Sequence, residues 1–266
     1  MERAEATYRP RRTRGVTWYR SRAVVDGLAV VVKRFPRLGA VDRDAPSYVL
    51  VHGLGVSSRY FEWLAAALAR NGDVWLVDLP GHGSSPKPRR DVPVEEHARV
   101  LGLVLESLAV TNPVLVGHSM GCQVVTETAV TMPHLSDSIV LLSPVTNPAR
   151  RSKGRQLLDL MRDFFREPPR ASAFGLYSYF LTARLAYYLQ QVPHMIGYPI
   201  EARLSLVEAQ VLVVVGDRDP IVPVAWAADA AELAPRGTLA VVTGAHVVMY
   251  SSPEEVSRRI AEHVLV

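Results

Sequence analysis

The chain has 266 residues, 48% of them hydrophobic and 21% charged, with a formal net charge of +4 and a pI near 9.3. That is a globular composition with ample material for a core, and no apolar run approaches the ~20 residues that span a bilayer. One cysteine, Cys122, excludes an intrachain disulfide and a cysteine metal cluster.

The positive charge gathers in "RPRRTRG" (9–15) and "ARRSKGR" (149–155). No zinc-finger spacing, aromatic RNA-binding signature or heptad accompanies either run, so both read as solvated surface and nucleic acid is not an expected partner. The first residues hold no apolar h-region. The expectation is a soluble cytoplasmic protein without stable membrane insertion, its oligomeric state left open.

In chain order, "VTWYRSRAVV" and "LAVVVKRF" form an antiparallel pair across Asp26-Gly27, a strong turn dipeptide. Short apolar runs follow: "YVLVHG", "VWLVDLP", "PVLVGHS", "SIVLLSP", "VLVVVGD" and "LAVVTGAH". Between and after them the pattern predicts helices at 57–71, 93–110, 120–131, 224–234 and 252–264. Continuous apolar strands alternating with helices imply an α/β fold, a mostly parallel sheet flanked by helices on both faces. Residues 146–203 break the alternation with two aromatic-rich helical stretches, predicting a helical insertion between two core parts, 1–145 and 204–266.

"GHSMG" (117–121) carries the chemistry. A buried-strand signal precedes it and a helical pattern follows, the setting in which a glycine-flanked serine is pushed outward from a sharp turn. A serine hydroxyl needs an adjacent base, and that base an orienting carboxylate. Of eight histidines, His246 sits just past the last strand; Asp217 and Asp219 sit just past the one before. His52, His82 and His118 read as structural hydrogen-bonding groups, and Cys122 as a core thiol. No His-x-x-x-His or clustered Cys/His spacing suggests a metal, and Gly53, Gly55, Gly81 and Gly83 form no nucleotide fingerprint. No cofactor is expected.

The segments "VHGLGVSSRYF", "VDLPGHGSS", "GHSMG", "GDRDPIVP" and "GAHVVMY", in this order, resemble the α/β-hydrolase superfamily, in its esterase-like branch with a helical cap. The resemblance implies Ser119 as nucleophile, His246 as general base and Asp219, in preference to Asp217, as the orienting acid. It implies the backbone N–H groups of Leu54 and Met120 as an oxyanion hole. The insertion would be the cap, with Tyr177, Phe180, Tyr187 and Val247 facing a largely apolar crevice. The reaction expected is hydrolysis of a carboxylic ester, thioester or lactone of a moderately hydrophobic small molecule. The alternatives are C–C bond hydrolysis, perhydrolysis, acyl transfer or lyase chemistry with the same triad, and a ligand-binding protein without turnover.

Overall fold

The computed structural model describes residues 5–39, 45–146 and 185–264. Among these, nine strands form one sheet: β1 (Glu5–Thr13), β2 (Val16–Val25), β3 (Leu28–Phe35), β4 (Ser47–Val51), β5 (Asp73–Asp78), β6 (Val114–His118), β7 (Ser138–Leu142), β8 (Gln210–Gly216) and β9 (Gly237–Val242). Their spatial order is β1-β2-β3-β5-β4-β6-β7-β8-β9. β4 to β9 pair in parallel, while β1, β2 and β3 join antiparallel and β3 meets β5 the same way.

The β2–β3 hairpin turns on Asp26 and Gly27, both at positive φ (50° and 74°). This is the backbone a two-residue turn needs to match strand twist. β1 adds a strand that the hydrophobic pattern did not signal. Its outer half, "RPRRT", is charged rather than β-branched, a composition that suits an edge whose one free side meets water.

Alternation along each strand divides the core between two sheet faces. Val49 and Val51 of β4 point to one face, Tyr48 and Leu50 to the other. The first face is covered by α2 (Val94–Ser107), α3 (Met120–Thr131) and, further along the chain, α6 (Val224–Leu233). The second is covered by α1 (Glu62–Leu68), α7 (Val248–Ser251) and α8 (Pro253–Val264). α2 shows why these segments are helical: Val94, Ala98, Leu101 and Leu105 fall on one buried stripe, and Glu95 and Glu96 sit at the positive helix end. Each fully buried leucine contributes roughly 2 kcal/mol of transfer free energy.

Two helices belong to the expected insertion: α4 (Leu185–Gly197) and α5 (Ile200–Leu204). The rest of that insertion, with Tyr177 and Phe180, lies outside the described residues. α4 docks through Tyr187, whose hydroxyl donates to the Pro80 carbonyl at 3.1 Å, and through His194, whose Nε2 lies 2.6 Å from Asp91. No helix among the described residues is long and apolar enough to cross a membrane.

Strand order sets where a site can form. The chain leaves β4 for β5 on one side and returns to β6 on the other, so the crevice at the carboxyl ends of β4 and β6 is a topological switch point.

Candidate active site

The turn after β6 is tightly constrained. Ser119 takes φ 55° and ψ −120°, a conformation L-residues avoid unless the surroundings enforce it. Those surroundings are tight. A Cβ on Gly117 would lie 2.4 Å from the Gly121 carbonyl oxygen, and one on Gly121 would lie 2.2 Å from that of Val51. The two glycines therefore let α3 start directly against β4 and β6, with Ser119 at its head. Ser119 is half-buried, and its N–H donates to Leu142 O of neighbouring β7 at 3.0 Å. Met120 is the first residue of α3, so its N–H has no acceptor within the helix.

The loops after β8 and β9 are zipped together. Arg218 N–H donates to Gly244 O, Asp217 N–H to Val242 O, and Gly244 N–H to Asp217 Oδ1 at 2.9 Å. This lays His246 against Asp219: Nδ1 is 2.9 Å from Oδ2, with both side chains almost fully buried. The other oxygen, Oδ1, accepts N–H bonds from Ile221 and Val222 at 2.8 and 2.9 Å. Burial pushes the Asp219 carboxyl up, but the neighbouring His246 and these donors outweigh it, and the group sits below its usual range. An ionised Asp219 only accepts, so neutral His246 carries its proton on Nδ1 and its lone pair on Nε2. Asp217 instead stays exposed and serves as the tie to Gly244 described above.

His246 is also fixed to the Ser119 turn through the preceding residue. The His118 and His246 rings lie 4.8 Å apart, and His118 Nε2–H donates to the His246 carbonyl at 3.1 Å. That carbonyl only accepts, so His118 Nδ1 is the acceptor nitrogen and takes the Tyr60 O–H at 2.6 Å. Tyr60 in turn accepts the Gly53 N–H at 3.0 Å. Burial first, and then His246, hold the His118 imidazole well below its ordinary pKa, so it stays neutral and the chain of donors keeps one direction.

Gly53 is thus held at its nitrogen by Tyr60 and at its oxygen by His52, whose Nδ1–H donates at 2.7 Å. His52 Nε2 accepts Leu79 N–H at 3.0 Å. The peptide that bears the Leu54 N–H is the one whose carbonyl His52 holds, so a trans peptide aims that N–H the opposite way. This loop touches the serine: a Cβ on Gly53 would lie 2.9 Å from Ser119 Cβ.

Sequence reasoning names the serine, histidine and acid but not Tyr60. Its only trace is a tyrosine within the short 3-10 turn Ser58–Phe61 that follows the glycine loop. Tyr187 is buried against Gly81 and lies 5.7 Å from the His82 ring. Val247 is half-buried beside His246. Cys122 is fully buried, its S–H directed at the Gly117 and Leu142 carbonyls at 3.3 Å; burial raises its pKa well above normal, which keeps it a thiol.

Residues 48–259 match the sequence model of the alpha/beta hydrolase family. An uncharacterized protein of Mycobacterium tuberculosis is 34% identical over 112 residues, 42% of this chain and 33% of that protein. The match thus spans about a third of that relative's length. The magnesium-chelatase 30 kDa subunit of Rhodobacter capsulatus is 26% identical over 239 residues, 77% of this chain and 82% of its own. Among solved structures, Est816, described as an N-acyl homoserine lactone degrading enzyme, superimposes with a TM-score of 0.78 at 20% identity, covering 91% of this chain and 99% of its own. At that identity the likeness concerns the fold.

Proposed function

The chain belongs to the alpha/beta hydrolase family, and from that premise we propose that it is a serine hydrolase cleaving a carboxylic ester, thioester or lactone through an acyl-enzyme on Ser119. The observation that carries this reading is the buried His246–Asp219 pair at 2.9 Å, tied through His118 to the turn that holds Ser119 at φ 55°.

Ser119 Oγ attacks the substrate carbonyl carbon, and its proton passes to His246 Nε2. The carbonyl π electrons move onto oxygen, which accepts the N–H groups of Leu54 and Met120. A donor of this kind is worth roughly 3 kcal/mol in the transition state, because it is aimed before the charge appears. The tetrahedral adduct collapses, the C–O or C–S bond breaks, and His246 returns the proton to the leaving group. Water then gives a proton to His246 and attacks the acyl carbon, and Ser119 recovers its hydrogen as the acid departs. Asp219 stays ionised throughout and stabilises the transient imidazolium.

Substrate binding falls to the crevice over Ser119. Val247 and Tyr187 are the wall residues proposed within the described part of the chain; Tyr177 and Phe180 lie outside it. The test is labelling with a fluorophosphonate followed by peptide mapping, beside hydrolysis of a p-nitrophenyl ester. Adduct on Ser119 and loss of turnover in Ser119→Ala are expected. Undiminished turnover in that variant, or an adduct elsewhere, sinks the mechanism.

A further inference from the structure

On the face of β1–β3 packed by the 3-10 turn and α1, a recess of about 620 Å³ is lined by six cationic side chains, Arg11, Arg12, Arg14, Arg20, Lys33 and Arg59, and by one carboxylate, Glu62. Strand register brings them together from distant parts of the chain. Arg11 stands opposite Trp18 and Arg20 opposite Lys33, and residues paired across strands share a face. That single carboxylate is already engaged, with Lys33 Nζ 3.7 Å away and both side chains largely buried.

Aromatic rings lie against three of these cations, Arg11, Arg14 and Lys33. Arg11 Cζ lies 5.6 Å from the centre of the Trp18 ring and Lys33 Nζ lies 5.3 Å from it; Arg14 Cζ lies 3.4 Å over Trp63. Trp18 itself is pinned by its N–H, which donates to Thr13 Oγ1 at 3.1 Å. A cation on an indole face is oriented without being neutralised. Among the residues whose side chains are described, none of the ion pairs joins Arg11, Arg12, Arg14 or Arg20 to a carboxylate. Arg11 and Arg14 are thus guanidinium groups positioned by rings in a concave surface, which lowers the ordering cost of binding an anion.

We propose that this recess binds a phosphate-bearing ligand. Guanidinium forks match phosphate oxygens two at a time. The excess of several positive charges suits a polyvalent group better than a single carboxylate. The volume lies in the range of small-molecule sites and far exceeds that of one inorganic ion. The phosphate is carried either by a free small molecule or by a lipid headgroup; the chemistry recognised is the same. This site is separate from the Ser119 turn and stands whether or not that turn hydrolyses anything.

The test titrates the full-length protein with inorganic pyrophosphate by calorimetry and sediments it with phosphatidylcholine vesicles, with and without phosphatidic acid. The wild type is expected to bind pyrophosphate saturably. Arg11→Gln combined with Arg20→Gln is expected to weaken binding about tenfold or more. Arg258→Gln, which alters an exposed arginine of α8 paired with Glu262, is expected to leave it unchanged. Pyrophosphate binding without sedimentation assigns a free ligand. Sedimentation that needs phosphatidic acid and is competed by pyrophosphate assigns a headgroup. Thermal melts of each variant separate lost binding from lost folding, and Arg14→Gln supplies an independent check should the double variant melt early. Binding of neither probe, or equal weakening by Arg258→Gln, overturns the proposal.

Discussion

The Ser119 turn and the basic recess handle charge in opposite ways. At the turn, Asp219, His246, His118 and His52 are buried, and each has named hydrogen-bond partners. At the recess, Arg11, Arg12 and Arg14 are exposed; indole rings lie against Arg11 and Arg14, and the Gly15 carbonyl accepts from Arg12 Nε. Burial explains the difference. A buried polar group left unpaired costs about 1–3 kcal/mol, so the turn is forced to pair its groups. An exposed guanidinium is solvated and carries no such penalty, so the recess is free to keep its charge for a ligand.

The largest effects should come from breaking the turn. Ser119→Ala is expected to lower kcat on a p-nitrophenyl ester on the order of 10⁴-fold or more, and Asp219→Asn on the order of 10³-fold or more. Both variants should keep the wild-type circular dichroism spectrum. An Asp217→Asn variant retaining most activity would sharpen the distinction between the two acids.

Next comes the strut from Gly53 to His246. Tyr60→Phe removes one oxygen and strands the Gly53 N–H and His118 Nδ1, both buried. A fall of roughly tenfold in kcat, with KM nearly constant, follows if the strut aims the Leu54 N–H. Equal changes in both constants, or none, would reduce Tyr60 to packing.

A third effect is pH-dependent stability from His97 on α2. Burial lowers its pKa from 6.5 to about 4. Protonation near 6.5 in the unfolded chain then favours unfolding as the solution is acidified. The contribution is complete above about pH 6.5 and is lost as pH falls toward 4, by up to about 3 kcal/mol. His52 and His118, also lowered by burial, act with the same sign. The Tm of His97→Gln should therefore decline less steeply between pH 7 and 5 than that of the wild type; parallel curves would refute the assignment.

The smallest expected effect lies at the recess. Arg11→Gln with Arg20→Gln should change unfolding free energy by no more than about 0.5 kcal/mol in urea titrations. A loss of several kcal/mol would show that these charges hold the β1–β3 sheet rather than await a ligand.

Much of this architecture was legible from local pattern. The β2–β3 turn follows from Asp26-Gly27, α3 begins at the residue predicted, and "GHSMG" marks the strained turn, because each depends on neighbours within a few positions. β1 was hidden by its charge. Tyr177 and Phe180 fall outside the described residues and stay proposals for the pocket wall.

By itself, the sequence determined the alternation of strands and helices, the glycines that admit a tight turn and the residue types able to do acyl chemistry, since periodicity and steric freedom are local properties. Only the tertiary structure decided that His118 ties the Ser119 turn to the His246 carbonyl, that Tyr60 reaches His118 from 58 positions away, and that arginines read as solvated surface share a recess with Lys33 and Arg59. Those pairings arise from strand order and register, which bring distant residues together through burial that no short window of sequence contains.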